Sequence, residues 1–174
     1  MNIALIPLSE TPLDSDLALK WSLEMWHSNS IPSFSKESWS NFYERGKSAD
    51  FYKWVGDGQE LVFIAKCGEE VVGTSALVDS DDLEEYRHLS PWVAAFIVKS
   101  GLRGGGLGTE ILAALEVKAE SLGIVTLYLW TEDRAEFYLK RGYEYLTSGS
   151  LGRLSYDLLK KELTSHPTIV HGNS

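Results

Sequence analysis

The sequence predicts a single α/β domain whose elements follow in the order β-α-α-β-β-β-α-β-α-β-β. Three observations support this prediction. Short, β-rich apolar runs alternate with four helical patterns, and a dense glycine stretch stands between one such run and the longest helical pattern. The 174 residues contain no internal repeat or low-complexity linker, and this length suits one domain. We place the domain at residues 1–163 and a loosely ordered tail at residues 164–174.

The N-terminal half predicts a strand, two helices and a β-hairpin. In LDSDLALKWSLEMW, the residues Leu13, Leu17, Trp21 and Met25 recur every four positions and form one face of a first helix. The second helix, SKESWSNFYERG, carries three aromatic residues and ends at Gly46. ELVFIAK and EVVGTSALV are β-rich runs joined by CGEE, which is typical of a hairpin.

The C-terminal half predicts four further strands and two helices. PWVAAFIVKS is continuously apolar, which favours a strand buried on both faces. The helix after the glycine stretch carries Leu107, Ile111 and Leu115 on one face and ends near Gly123. IVTLYLW is another buried strand, and TEDRAEFYLKRG is a short helix with Thr131 as its candidate N-cap. YEYLTSG and RLSYDLL alternate like a closing hairpin.

Composition limits the classes of function. The net charge of -9 argues against nucleic acid as a partner, because affinity for nucleic acid depends on Lys and Arg that neutralise phosphates. No apolar run approaches the length needed to cross a bilayer, and the start of the chain lacks the basic segment of a signal peptide. A single cysteine, Cys67, fits a reducing compartment. We therefore expect a cytoplasmic protein without a membrane partner, as a monomer or a homodimer.

The stretch GLRGGGLGTE carries the strongest functional signal. Glycine at a helix N-terminus lets phosphate oxygens approach main-chain N–H groups closely. The P-loop pattern is absent, because no Lys follows a glycine at the required place, and the Rossmann pattern fails at Thr109. What remains is Arg103-x-x-Gly106-x-Gly108 between a buried strand and an amphipathic helix. A plain strand-to-helix turn is the alternative reading.

Two motifs together resemble the GNAT superfamily of acyl-CoA-dependent N-acyltransferases. The glycine stretch is similar to the family signature R/Q-x-x-G-x-G/A, which holds the pyrophosphate of coenzyme A. Phe137-Tyr138-x-x-x-Gly142-Tyr143 is similar to the later family motif F-Y-x-x-x-G-F/Y. With the order of elements, the resemblance covers about residues 1–160. Ser100 stands where the family often has Pro, and Thr131 where it often has Asn.

The resemblance implies a mixed, mostly antiparallel sheet, splayed around the cofactor and flanked by four helices. It also implies acetyl-CoA as co-substrate, no metal, and N-acetylation of the primary amine of a small or cationic acceptor by direct attack in a ternary complex. The N–H of Val98 or Ile97 would stabilise the oxyanion, and Tyr138 would be the catalytic acid that protonates the departing thiolate. A core aromatic without a catalytic role is the alternative for Tyr138. The residues that the resemblance assigns to coenzyme A are Phe96, Ile97, Val98, Arg103, Gly104, Gly105, Gly106, Leu107, Gly108 and Thr109.

A general base is missing from the predicted central strand, because WVAAFIV contains no carboxylate or histidine. The alternatives are Glu24 and His27 on the first helix, or His88 and the acidic run in DSDDLEEYRH, which would also attract a cationic amine. Structural histidines and a solvated loop are the competing interpretations. The candidate substrate-binding residues are Glu24, His27, Asp81, Asp82 and Glu84.

Two other functions stay open at this point. One is a non-catalytic domain that binds acyl-CoA without turnover. The other is a protein acetyltransferase that modifies a lysine or the N-terminus of a partner. Release of coenzyme A in the presence of amines would separate an enzyme from the first, and a preference for peptides over free amines would favour the second.

Overall fold

Seven strands and four α-helices make up the described part of the chain, residues 2–28, 31–50 and 53–163 of a computed structural model. The expected tail at residues 164–174 lies outside the described residues. The α-helices are α1 (Ser15–Trp26), α2 (Lys36–Gly46), α3 (Leu107–Ser121) and α4 (Ala135–Leu139). The strands are β1 (Ala4–Pro7), β2 (Glu60–Cys67), β3 (Glu70–Val78), β4 (Trp92–Val98), β5 (Thr126–Thr131), β6 (Glu144–Leu151) and β7 (Leu154–Glu162).

The strands form one sheet in the order β1-β2-β3-β4-β5-β7-β6. All neighbours pair antiparallel except β4 and β5, which are parallel. Both predicted hairpins, β2–β3 and β6–β7, are present. The prediction of a mixed, mostly antiparallel sheet flanked by four helices is therefore confirmed.

The helices cover the two faces of the sheet in pairs. Successive side chains of a strand point to opposite faces, so β2 contributes to two cores. Val62 and Ile64 belong to the core that contains residues of α1 and α2, and Leu61 and Phe63 belong to the core under α3 and α4. Each helix pair therefore stands on its own side of the central strands, and both pairs reach the gap between β4 and β5.

The prediction of which face of the first helix is buried is wrong. Leu13 is 92% exposed and lies before α1, and Met25 is 38% exposed. The buried residues of α1 are instead Ser15, Ala18 and Ser22. Small side chains let this helix lie close to its neighbours, so burial here follows residue size and hydroxyl pairing rather than hydrophobicity.

The last helix begins later than predicted. Thr131 ends β5, and Arg134 is the residue that precedes α4. The Thr131 hydroxyl still accepts a hydrogen bond from the Arg134 N–H at 3.1 Å. Thr131 therefore stabilises the loop that leads into α4 rather than capping the helix itself.

Candidate active site

A cleft opens where β4 and β5 separate. The two strands are paired only at Trp92 and Tyr128, and their later residues have no shared register. The cleft has a volume of about 760 Å³. We call the part lined by the glycine stretch and α4 the glycine end, and the part lined by Met25, Trp26, Phe34, Trp39, Asp81, Asp82 and Trp130 the aromatic end.

A bulge in β4 directs main-chain groups into this cleft. Thr74 pairs with Ile97 and Ala76 with Ala94, so two residues of β4, Ala95 and Phe96, stand opposite one residue of β3. Ala95 has a φ of 48°, in the left-handed region. The Ala95 carbonyl accepts a hydrogen bond from Thr74 Oγ1 at 2.7 Å. In the same planar, trans peptide, the Phe96 N–H must point the opposite way, away from β3 and toward the cleft.

The next two peptide groups of β4 also each direct one main-chain group into the cleft. The Ile97 carbonyl lies against Gly73 of β3, so the Val98 N–H points toward the cleft. The Lys99 N–H donates to a β3 carbonyl at 2.8 Å, so the Val98 carbonyl also points toward the cleft, where Arg103 Nε donates to it at 3.1 Å. Phe96 and Val98 thus present main-chain groups to the cleft. Ile97, the other predicted oxyanion donor, pairs with Thr74 of β3 and does not line the cleft, so Phe96 takes its place as a candidate donor.

The glycine stretch leaves the N-terminus of α3 open. Gly106 precedes the helix with a φ of 86°, and no side chain caps the first turn. Gly104 has a φ of 84°, and a Cβ on either glycine would have no heavy atom within 4 Å. The first-turn N–H groups are therefore uncapped and accessible to an anion. Of the ten residues predicted to bind coenzyme A, Ile97, Gly105 and Leu107 are the ones that do not line the cleft.

Arg141 ties the glycine end to α4, and sequence reasoning gave it no role. Its Nε donates to Thr109 Oγ1 at 2.9 Å, and its Nη1 donates to the Phe137 carbonyl at 2.6 Å. Its guanidinium also lies 3.8 Å from the centre of the Phe137 ring. A Cβ on Gly108 would sit 3.4 Å from that same ring. Arg141 therefore holds the first turn of α3 against α4 and adds a positive charge beside the uncapped N–H groups.

Tyr138 lies in the middle of the cleft wall. Its side chain is 8% exposed, and its ring packs edge-on against Phe96, with ring centroids 6.3 Å apart. Within the described residues its hydroxyl has no hydrogen-bond partner. Burial raises the pKa of Tyr138 well above its ordinary value, although the Arg134 charge lowers it. The phenol therefore stays protonated near neutral pH and can donate a proton.

The aromatic end is built from stacked rings contributed by separate elements. Trp26 of α1 stacks on Trp39 of α2, with centroids 5.4 Å apart and planes 15° apart. Phe34 stacks on Trp130 of β5 at 6.2 Å and 4°. Trp130 Nε1 in turn donates to the Asp81 main-chain carbonyl at 3.0 Å, which fixes the acidic loop against the sheet. Flat apolar walls and a carboxylate loop thus meet in one region.

Two of the predicted acidic residues, Asp81 and Asp82, line this end of the cleft. Burial raises the pKa of the Asp81 carboxyl well above its ordinary value, and the neighbouring Asp82 charge raises it further. Burial also raises the pKa of Asp82, while a hydrogen bond with Ser33 lowers it. The raised pKa values mean that the ionised forms of these two neighbouring carboxyls are unfavourable on their own. A cation that binds between them would stabilise the ionised forms.

The other predicted acceptor-side residues do not line the cleft. Glu24 and His27 border a separate surface groove on α1 and α2. Glu84 is exposed, and Arg87 Nε lies 2.7 Å from its carboxylate. His88 is exposed and contacts Tyr86 at 6.5 Å between ring centroids. The short 3-10 turn at Glu84–Tyr86 carries this part of the acidic run outward.

Among residues 2–28, 31–50 and 53–163, no group of three or more His, Cys, Asp or Glu side chains is placed to hold a metal ion. In the same residues, no helix is long and apolar enough to cross a bilayer.

Comparison with known proteins gives concordant matches. A model of the acetyltransferase (GNAT) family matches residues 28–143. An aminoglycoside 6'-acetyltransferase type Ii superposes with a TM-score of 0.69 at 19% identity, covering 96% of this chain and 100% of that one. An aminoglycoside 6'-N-acetyltransferase complexed with coenzyme A has a TM-score of 0.70 at 17% identity, covering 97% and 100%. PaiA N-acetyltransferase from Thermoplasma acidophilum, in complex with coenzyme A, has a TM-score of 0.63 at 18% identity, covering 93% and 99%.

Proposed function

Because this chain belongs to the GNAT acetyltransferase family, we propose that it transfers the acetyl group of acetyl-CoA to the primary amine of a small, cationic acceptor. One observation carries this proposal. A single cleft joins an uncapped helix N-terminus, an open strand edge and a pair of carboxylates surrounded by aromatic rings. The first two features suit coenzyme A, and the third suits an organic cation.

Coenzyme A fits the glycine end on the chemistry of the groups present. The uncapped first-turn N–H groups of α3 would bind the pyrophosphate, with Arg103 and Arg141 supplying positive charge. The open space around Gly104 and Gly106 is where phosphate oxygens would come close to the main chain. The cleft-facing main-chain groups of β4 would pair with the pantetheine arm.

In the transfer step, the acceptor nitrogen bonds to the thioester carbon and the carbon–sulfur bond then breaks. The Val98 or Phe96 N–H donates a hydrogen bond to the oxyanion that develops on the thioester oxygen. Tyr138 donates its proton to the departing thiolate, and the proton released by the attacking amine returns to Tyr138 through water. The attacking amine must be neutral, and Asp81, one of the carboxylates that line this cleft, can accept its proton.

The aromatic end supports a cationic acceptor. Asp81 and Asp82 provide negative charge, and the faces of Trp26, Trp39 and Trp130 provide apolar contact and cation–π attraction. Glu24, His27 and Glu84 stand outside the cleft, so we leave them out of the proposed acceptor site. The acidic composition and single cysteine support a cytoplasmic enzyme that acts on small molecules rather than on nucleic acid.

A coupled assay of coenzyme A release tests the proposal. The purified protein is incubated with acetyl-CoA and a panel of primary amines, diamines, aminosugars and lysine peptides. We expect turnover with cationic small amines and acetylated product by mass spectrometry. A preference for peptides would replace the proposal with protein acetylation. Calorimetric binding of coenzyme A without turnover on any acceptor would replace it with a non-catalytic binding domain.

Neutralising the two carboxylates at the aromatic end of the cleft is expected to weaken acceptor binding. In the Asp81→Asn/Asp82→Asn variant, the acceptor KM should rise about tenfold or more, because hydrogen bonds to charged groups contribute about 1.5–3 kcal/mol. The salt dependence of that KM should flatten. Glu84→Gln is the matched control, since it removes a charge from the same loop but outside the cleft. Equal KM values in the double variant and the control would show that the loop is plain solvated surface.

The raised pKa values predict a pH dependence with a definite sign. Because the pKa values of Asp81 and Asp82 are raised, these carboxyls become protonated and neutral at a higher pH than ordinary carboxyls. Attraction of a cation is therefore lost as the pH falls through the raised values, and the acceptor KM should rise on that acid limb. Steady-state KM measured from pH 8 downward, in about half-unit steps, tests this. The limb should persist in Glu84→Gln and disappear in the double variant.

A further inference from the structure

Three buried hydroxyl groups lie between helices α1 and α2 and the bulge of β4. Ser22 Oγ lies 2.6 Å from the Tyr43 hydroxyl, and Thr74 is close enough to that hydroxyl to lower its pKa. Thr74 Oγ1 in turn donates to the Ala95 carbonyl at 2.7 Å. Ser22 and Thr74 are 0% exposed and Tyr43 is 2% exposed. Buried hydroxyl groups are costly unless they are paired, so the hydrogen bond from Thr74 to the Ala95 carbonyl is strongly favoured.

Each of the three hydroxyl groups has an acceptor for its single hydrogen. Thr74 donates to the Ala95 carbonyl, and Ser22 donates to the Ala18 carbonyl at 2.9 Å. Tyr43 can then donate to Ser22. Burial raises the pKa of Tyr43 to about 12, so its hydroxyl keeps its proton across the working pH range.

The Thr74 hydroxyl controls the direction of one main-chain donor, the Phe96 N–H. Ala95 is held at a φ of 48°, in the left-handed region that is unfavourable for a residue with a side chain. The Thr74 hydroxyl provides the fixed partner that keeps its carbonyl turned toward β3. Peptide planarity then aims the Phe96 N–H into the cleft. Without Thr74 Oγ1, the Ala95 peptide loses a buried partner and is free to rotate.

We infer that Thr74 is a positioning residue for acetyl transfer: it holds the Ala95 carbonyl and so aims the Phe96 N–H at the bound thioester. The catalytic half of this inference rests on the proposed acetyltransferase function. The binding half concerns only acetyl-CoA and the main chain of β4.

Thr74→Val tests the inference, because it keeps the β-branched shape and removes the hydroxyl. We expect the affinity for acetyl-CoA, measured by calorimetry without an acceptor, to weaken about tenfold, because the thioester oxygen loses one oriented hydrogen bond. The kcat with the best amine should fall by at least about tenfold, because a developing oxyanion loses an oriented donor. Thr74→Ser keeps the hydroxyl and should restore both values to within about threefold of wild type.

Ser75→Ala is the matched control on the same strand. Ser75 is 0% exposed, and its hydroxyl has no hydrogen-bond partner in the described part of the chain. Its removal should leave affinity and kcat unchanged. A purely structural role for Thr74 predicts a lower Tm with unchanged affinity and kcat of the folded protein, and that outcome would overturn the inference.

Thr74→Ala covers the case in which Thr74→Val does not fold. It removes the hydroxyl and places no methyl group against the Ala95 carbonyl, so a similar loss of acetyl-CoA affinity is expected. Unchanged affinity in folded Thr74→Ala would contradict the inference. The calorimetric comparison needs no acceptor, so it remains decisive even when no amine is turned over and the proposed function fails.

Discussion

Replacement of Tyr138 by Phe is expected to lower kcat by about a hundredfold, since general acid catalysis contributes at least that factor in most enzymes. The variant keeps the aromatic ring and therefore its edge-on packing against Phe96 and Tyr143. Only the proton donor is removed. Because the hydroxyl has no protein partner among the described residues, its loss should leave the Tm and the affinity for coenzyme A close to wild type. Steady-state kinetics and thermal unfolding of the same sample measure the two quantities.

Tyr143→Phe is the control for this experiment. Tyr143 is 3% exposed and packs on Tyr138 with ring centroids 5.6 Å apart, but it does not line the cleft. Removal of its hydroxyl should leave kcat unchanged. If Tyr138→Phe retains activity within about threefold of wild type, Tyr138 is a core aromatic and another group or water protonates the thiolate.

Features carried by consecutive residues were predictable from the sequence. The hairpins at CGEE and before Leu154, the amphipathic pattern of α3 and the glycine stretch all depend on local spacing and backbone conformation. Gly106 has a positive φ at the N-terminus of α3, which is the conformation that glycine adopts most readily. Such features depend on neighbouring residues and not on contacts with distant parts of the chain.

Features that depend on contacts between distant segments were missed. The buried face of α1 is made of Ala18 and Ser22, because this helix packs closely and pairs a hydroxyl with Tyr43 of α2. Periodicity of large apolar residues cannot reveal a face of small ones. Arg141 lies at a variable position of the second motif, so sequence reasoning assigned it no role. Its role depends on its hydrogen bond to Thr109, which is distant in sequence and close in space.

The acceptor side was predictable only in part. The acidic run was correctly expected before β4, but one local turn separates its members. Asp81 lines the cleft beside Trp130, whereas Glu84 begins a 3-10 turn and pairs with Arg87 in solvent. Charge density in a sequence does not say which carboxylates share a face. Phe34 gave no signal, because its partner Trp130 lies on another element.

Substitution of Gly108 by Val is expected to weaken coenzyme A binding at least tenfold, or about 1.4 kcal/mol. Gly108 lies in the first turn of α3, where a Cβ would already sit 3.4 Å from Phe137 and 3.5 Å from Val98. The two γ-carbons of valine would extend into the cleft between these side chains and occupy space next to the uncapped N–H groups. Calorimetry with coenzyme A alone measures this loss without any assumption about the acceptor.

Gly101→Val is the control: it removes a glycine from the same stretch without placing a side chain in the proposed coenzyme A site. Gly101 belongs to the same stretch, but a Cβ there would have no heavy atom within 4 Å and its φ needs no glycine. Its affinity should match wild type. Gly106→Val should be worse than Gly108→Val, because a β-branched residue is strained at a φ of 86° and would shift the start of α3 itself. A folded Gly108→Val protein with wild-type affinity would remove the glycine stretch from the coenzyme A site, since phosphate oxygens cannot approach main-chain N–H groups that valine methyls cover.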